Sequence, residues 1–123
     1  MDQHNMDNSL LSDEEDAQKN KAMGILAYIL FFIPIIAARD SKFAMYHANQ
    51  GLILFIASII LWIVVQILSS ILFSISFGLW GLVTTLTSLV SLGILILVII
   101  GIVNAANGKM QPLPIIGGFQ IIK

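Results

Sequence analysis

From Phe43 to Gly108 the chain runs 66 residues without an Asp, Glu, Lys or Arg. Soluble domains carry roughly 25% charged residues, so an uncharged stretch of this length is more than such a domain can hide. It is long enough to cross a bilayer twice, because one crossing helix takes about 20 apolar residues. A second uncharged run, Ala22 to Ala38, precedes it. The distribution implies an all-α integral membrane protein, since a helix satisfies its own backbone groups in lipid.

Three transmembrane helices are expected, at about 22–38, 51–74 and 82–106. The first holds 17 residues and reaches only about 26 Å against a hydrocarbon core of roughly 30 Å. It borrows a turn from Lys19 to Lys21, whose side chains can snorkel. Pro34 removes a backbone donor near its end and bends or unwinds the last turn; a half-crossing is the alternative. The second and third spans hold 24 and 25 residues. Ile75 to Gly81 breaks the run between them with two glycines, and Trp80 there suits an aromatic belt. Asn107-Gly108 ends the last helix.

The polar sequence lies at the ends. Six of the seven acids fall in the first sixteen residues. Residues 1–20 therefore form an acidic tail, expected to be disordered, although Ser12 and Glu15 have the spacing of a capping box. His4 has no ligating neighbour in sequence. Residues 21–108 form the three-helix transmembrane domain. Residues 109–123, with Pro112, Pro114 and Gly117-Gly118, are apolar but too broken to span, which places them at the interface. The first apolar run does not read as a cleaved signal, because an acidic leader precedes it and no small-x-small site follows. Three spans would put Lys19 and Lys21 on one side and Arg39, Lys42, Lys109 and Lys123 on the other. The larger count marks the cytoplasmic side of a multi-pass membrane protein, with the N-terminus outside and the C-terminus inside.

Composition excludes several chemistries. With no Cys there is no disulfide, thiolate nucleophile or Cys-held metal. No basic face suits nucleic acid. The spans hold no ionisable group of the kind that proton relays and voltage sensors need. What they hold is weaker. Gln66, Ser69, Ser70 and Ser74 cluster on one side of the second span, and Thr84, Thr87, Ser88 and Ser91 near the start of the third. Two readings exist for Gln66 and Ser88 with their neighbours: a small polar groove, or hydrogen bonds that join helices. Gly51, Gly93, Gly101 and Ala105 are candidate close-packing positions, the last two as a small-x-x-x-small pair.

Between the first two spans, Asp40 or Ser41 can cap a helix. Phe43, His47 and Gln50 then share one face of a short interfacial helix that runs on into the second span. Arg39, Asp40, Phe43, His47 and Gln50 are the candidate contacts for a partner or a lipid head group. The competing reading has them capping and anchoring span ends. His47 has no second acid, base or nucleophile placed to act with it, so a catalytic site is not expected.

Asp40-Ser41-x-Phe43-x-x-x-His47-Ala48-x-Gln50-Gly51-Leu52 resembles a motif of small bacterial membrane proteins grouped with the Tic-type import component of the chloroplast inner envelope. Gly101-Ile102-x-x-Ala105-x-x-Gly108, followed by Leu113-Pro114-x-Ile116-Gly117, extends the resemblance across about 22–117. The resemblance implies a helical bundle without enzymatic activity or cofactor, and a link to protein translocation. The expected function is a non-enzymatic, partner-binding membrane subunit, in contact with the lipid bilayer and with a membrane protein or a second copy of itself. The alternative is a small pore lined by Ser, Thr and Gln.

Overall fold

The computed structural model of the chain describes residues 13–121. These residues form helices joined by turns, with an irregular C-terminal stretch and no strand among them. Residues 13–19 form α1, followed by α2 (Lys21–Leu26), α3 (Phe32–Ala37), α4 (Lys42–Ile75) and α5 (Trp80–Ala106). A 3-10 turn, Phe77–Leu79, joins the last two, which fold back on each other as a hairpin. The far end of the hairpin, at this turn, is its tip. The near end, where α4 begins and α5 ends, is its base.

Only α4 and α5 are long and apolar enough to cross a membrane. At about 1.5 Å per residue, the 34 residues of α4 reach about 51 Å, well beyond the hydrocarbon. Its first nine residues, expected to form an interfacial helix, are continuous with the rest of α4. Ser41 is the cap: its hydroxyl accepts from the amide of Ala44 at 3.0 Å and satisfies one orphan donor. At the tip Ser76 does the same for Gly78 at 3.1 Å, and the rings of Phe73 and Trp80 lie 5.5 Å apart across the turn.

The expected first span, 22–38, does not exist as one helix. The structure has two candidate membrane-spanning helices, not three. The cause is Pro34, acting upstream of where its effect was expected. A proline lacks the N–H that would reach residue i−4, and its ring crowds that carbonyl. Here i−4 is Leu30, so the helix breaks before the proline rather than after it. Residues 27–31 close with short-range bonds instead, such as Tyr28 N–H to Ile25 O at 3.2 Å and Ile33 N–H to Leu30 O at 3.1 Å. Pro34 then sits in the first turn of α3, where no donor is required. The segment α2–turn–α3 bends back on itself against the base, and Phe31 meets Phe55 at a ring separation of 5.2 Å.

The acidic tail also differs from expectation. Residues 13–19 are helical and Ala17 is buried in the core. Ser12 and His4 lie outside the described residues. Residues 109–121 do not form a helix; they wrap the base, with Leu113 buried.

The core sits at the base, not between the membrane helices. Ala17, Ala27, Tyr28, Phe43, Ala48, Leu54, Ala105 and Leu113 form it. Three of the small residues admit α2 and the chain that follows it. A Cβ on Gly51 would lie 1.9 Å from the carbonyl oxygen of Ala27. One on Gly101 would lie 2.3 Å from the Tyr28 ring, and Ala105 packs 3.1 Å from a Cβ built on Gly24. Gly93 faces open space, so it has no packing role within the chain. Overpacking of a tight site costs about 1–3 kcal/mol, whereas alanine for glycine on an open helix face gains roughly 0.5–1 kcal/mol. Gly101→Ala is therefore expected to lower resistance to SDS unfolding, and Gly93→Ala to leave it equal or raise it. Equal behaviour of the two would show that Tyr28 does not pack on Gly101.

Candidate functional site

The densest polar group of the chain forms at the base, and it is turned inward. His47 is fully buried, Gln50 is 1% exposed and Asn49 is 6% exposed. Lys109 O is a carbonyl and can only accept, so the 2.7 Å contact to His47 Nε2 puts a proton on that nitrogen. In the neutral ring Nδ1 then accepts from the Tyr28 hydroxyl at 2.6 Å. Phe43, Tyr28 and Tyr46 surround the imidazole, with centroids 4.7, 5.5 and 5.4 Å away. The ring thus joins the turn after α2, α4 and the start of the C-terminal segment.

Two neighbouring amides bind the rest of that segment as one more stretch of backbone would. Gln50 accepts from the Leu113 amide at 2.9 Å and donates to Gly117 O at 3.0 Å. Asn49 donates to Phe119 O at 2.9 Å and accepts from the Ile121 amide at 2.6 Å. Between these clamps the chain makes a tight turn, Ile116 N–H to Pro114 O at 2.8 Å. Ile115 at its centre has φ 71°, the rare γ-turn geometry, and its side chain is 98% exposed.

On the other flank Asp16 fastens α1 to the start of α4. Its carboxylate accepts from Ser41 Oγ at 2.5 Å, the Phe43 amide at 3.0 Å and Asn20 Nδ2 at 2.8 Å. An acid suits this place, because free N–H groups and the helix dipole favour negative charge there. Burial pushes the Asp16 carboxyl up, but the hydrogen bonds from Ser41, Phe43 and Asn20 outweigh it. The net effect holds it below its ordinary 3.8.

Of the five residues expected to meet a partner or head group, Phe43, His47 and Gln50 are buried and occupied within the chain, while Arg39 and Asp40 are exposed. The i, i+4, i+7 spacing was a sound guide to a shared face, but that face turns inward. Tyr28, Asp16 and the carbonyl of Lys109 were missed. Tyr28 is the one polar tip inside the first apolar run, and that was the available signal for it. Gln66 and Ser88, by contrast, are exposed on the hairpin, so neither joins α4 to α5. Among the described residues no three His, Asp or Glu side chains come together to hold a metal ion.

Two outcomes follow from this geometry. Gln50→Leu leaves the Leu113 N–H buried without an acceptor, at a cost of about 1–3 kcal/mol. It is expected to expose the C-terminal segment to protease in detergent at temperatures where the wild type is protected. Asp16 has a depressed folded pKa, so its stabilisation is complete above the ordinary value and is lost as pH falls through and below 3.8. Hydrogen exchange of α1 in nanodiscs should rise below about pH 4 in the wild type. In Asp16→Asn it should be raised at every pH, without that step.

The sequence matches a protein-family model over residues 19–120, a range that takes in α2 to α5 and most of the base. Among curated proteins, the magnetosome protein MamF of Magnetospirillum gryphiswaldense is 33% identical over 88 residues, 72% of this chain and 68% of the relative. MamF of Paramagnetospirillum magneticum is 31% identical over 91 residues, 74% of this chain and 71% of the relative. A UPF0132 membrane protein of Methanocaldococcus jannaschii is 30% identical over 98 residues, 76% of this chain and 62% of the relative. No solved structure matches. These matches overturn the resemblance to the Tic-type import component, and the link to protein translocation falls with it. The chain belongs to the magnetosome magnetite crystal formation protein family, MamF_MmsF.

Proposed function

We propose that this protein is a non-enzymatic membrane component of a compartment in which magnetite crystals form. It acts by its presence and arrangement in the bilayer rather than by chemistry on a substrate. The family match across residues 19–120 carries this reading. The base supports the non-enzymatic part: both nitrogens of His47 and both ends of the Asn49 and Gln50 amides are committed to holding the chain together. A pore within one copy has little support, since two helices enclose no lumen. Deleting the gene in its own host and imaging the mineral by electron microscopy tests the role. A change in crystal size or number, restored by the intact gene, is expected. Unchanged crystals would overturn the crystal-formation reading.

The surface of the base suggests how the protein sits. Every Lys and Arg among the described residues, Lys19, Lys21, Arg39, Lys42 and Lys109, lies at the base, and the tip has none. Two crossings bring both ends of the described chain to one side, which removes the expected separation of N- and C-termini. The cation count then favours a cytoplasmic base, with Arg39 and Lys42 beside anionic head groups. The chain has no native cysteine, so single cysteines report their side cleanly. With an impermeant thiol reagent on cells whose outer face is accessible, Phe77→Cys should label while Gln18→Cys and Gly118→Cys stay protected. Labelling of the latter two alone would invert the orientation.

A further inference from the structure

Apart from Ser69 in the seam and Ser76 at the tip, the Ser, Thr and Gln side chains of the hairpin beyond the base are of two kinds. Ser58, Ser70, Ser74, Thr84 and Thr85 return their hydroxyls to the carbonyl four residues back, at 2.7–2.9 Å. Such hydroxyls are quenched and can face lipid. Gln66, Thr87, Ser88 and Ser91 are exposed and their side chains make no hydrogen bond within the described chain. A carboxamide offers two donors and two acceptors, and no backbone carbonyl of its own helix has taken the Gln66 donors. Hydrocarbon supplies no partner for them, and a side chain this far from either end cannot reach water.

These four groups converge. Gln66 follows by one residue the buried Val65 of the α4–α5 seam, and Ser91 follows by one the half-buried Val90 of α5. Each step turns 100° from the seam, and because the helices run in opposite directions both turns lead to the same side of the hairpin. The depths agree too. Gln66 stands nine residues from the end of α4 and Ser88 eight from the start of α5, or about 13 and 12 Å from the tip. Gly93 lies on the opposite flank.

We propose that this polar face is where a second copy of the chain docks. Under a two-fold axis the same patch meets itself. The Gln66 amide is its own complement, donor to acceptor and acceptor to donor, and the hydroxyls of Thr87, Ser88 and Ser91 flank it. No charge lies within either membrane helix beyond the base, so nothing on this face selects a charged partner. The reading of α4 and α5 as membrane helices underlies the proposal; the role in crystal formation does not.

The test uses the full chain labelled at Gln18→Cys with donor or acceptor dye and reconstituted in phosphatidylcholine vesicles. Energy transfer should persist when lipid dilutes the protein well beyond chance encounter. Gln66→Leu should shift half-association to about fivefold higher protein density, with Ser70→Ala unchanged. Oxidation should join Ser91→Cys chains to one another but not Gly93→Cys chains. Circular dichroism and protease protection of the C-terminal segment check that Gln66→Leu is folded. Transfer that falls to the chance level for the wild type, a folded Gln66→Leu chain that associates like the wild type, or cross-linking through Gly93→Cys alone would each overturn the proposal.

Discussion

A single turn near the start of α4 buries His47, Asn49 and Gln50, and the rest of the molecule is arranged to satisfy them. A buried polar side chain is tolerated only when its partners are present. An imidazole and two carboxamides bring both donors and acceptors, so each asks for a partner of each kind. Tyr28 and the backbone from Lys109 to Ile121 supply them. This requirement sets where α2 docks, and it draws an irregular segment into a fixed path without helix or strand. The hydrophobic core follows the same plan, since its residues are gathered at this end.

The membrane helices play the opposite part. Their faces are largely exposed, and between apolar helices in lipid there is little hydrophobic drive to pack. The base therefore sets the geometry of the hairpin's near end, while the short turn closed by Ser76 sets the far end. Between them, only the seam through Val65, Ser69 and Val83 is buried.

Much of the fold was legible in the sequence. The uncharged run located α4 and α5, the Gly78–Gly81 region located the turn, and Ser41 was one of two candidate caps. The first span was misread because hydropathy measures whether a segment tolerates lipid, not whether it stays helical. Ala22–Ala38 tolerates lipid, yet Pro34 cannot give Leu30 the i+4 bond of a continuous helix and the segment folds back. The site was partly legible. Helical spacing grouped Phe43, His47 and Gln50 correctly, but a single helix cannot reveal which neighbour covers its polar face. That depended on pairs far apart in sequence, Gln50 with Leu113 and Asn49 with Ile121, for which no local pattern exists. The small-residue pattern had the same weakness: Gly93 and Gly101 are the same residue type in the same helix, and only Gly101 has Tyr28 against it.

The amide clamps have a consequence for the order of assembly. Residues that receive His47, Asn49 and Gln50 lie 62 to 72 positions later in the chain. During synthesis both membrane helices are made before any of those partners exists. Until then the first turns of α4 wait at the bilayer surface with their polar groups in water. The base can close only when the last described residues have been made, so the C-terminal segment acts as a latch on a hairpin already inserted. A chain that stops after α5 would keep its apolar hairpin and leave Asn49, Gln50 and the Nε2 of His47 open, the kind of unpaired surface by which an unfinished membrane protein can be told from a finished one.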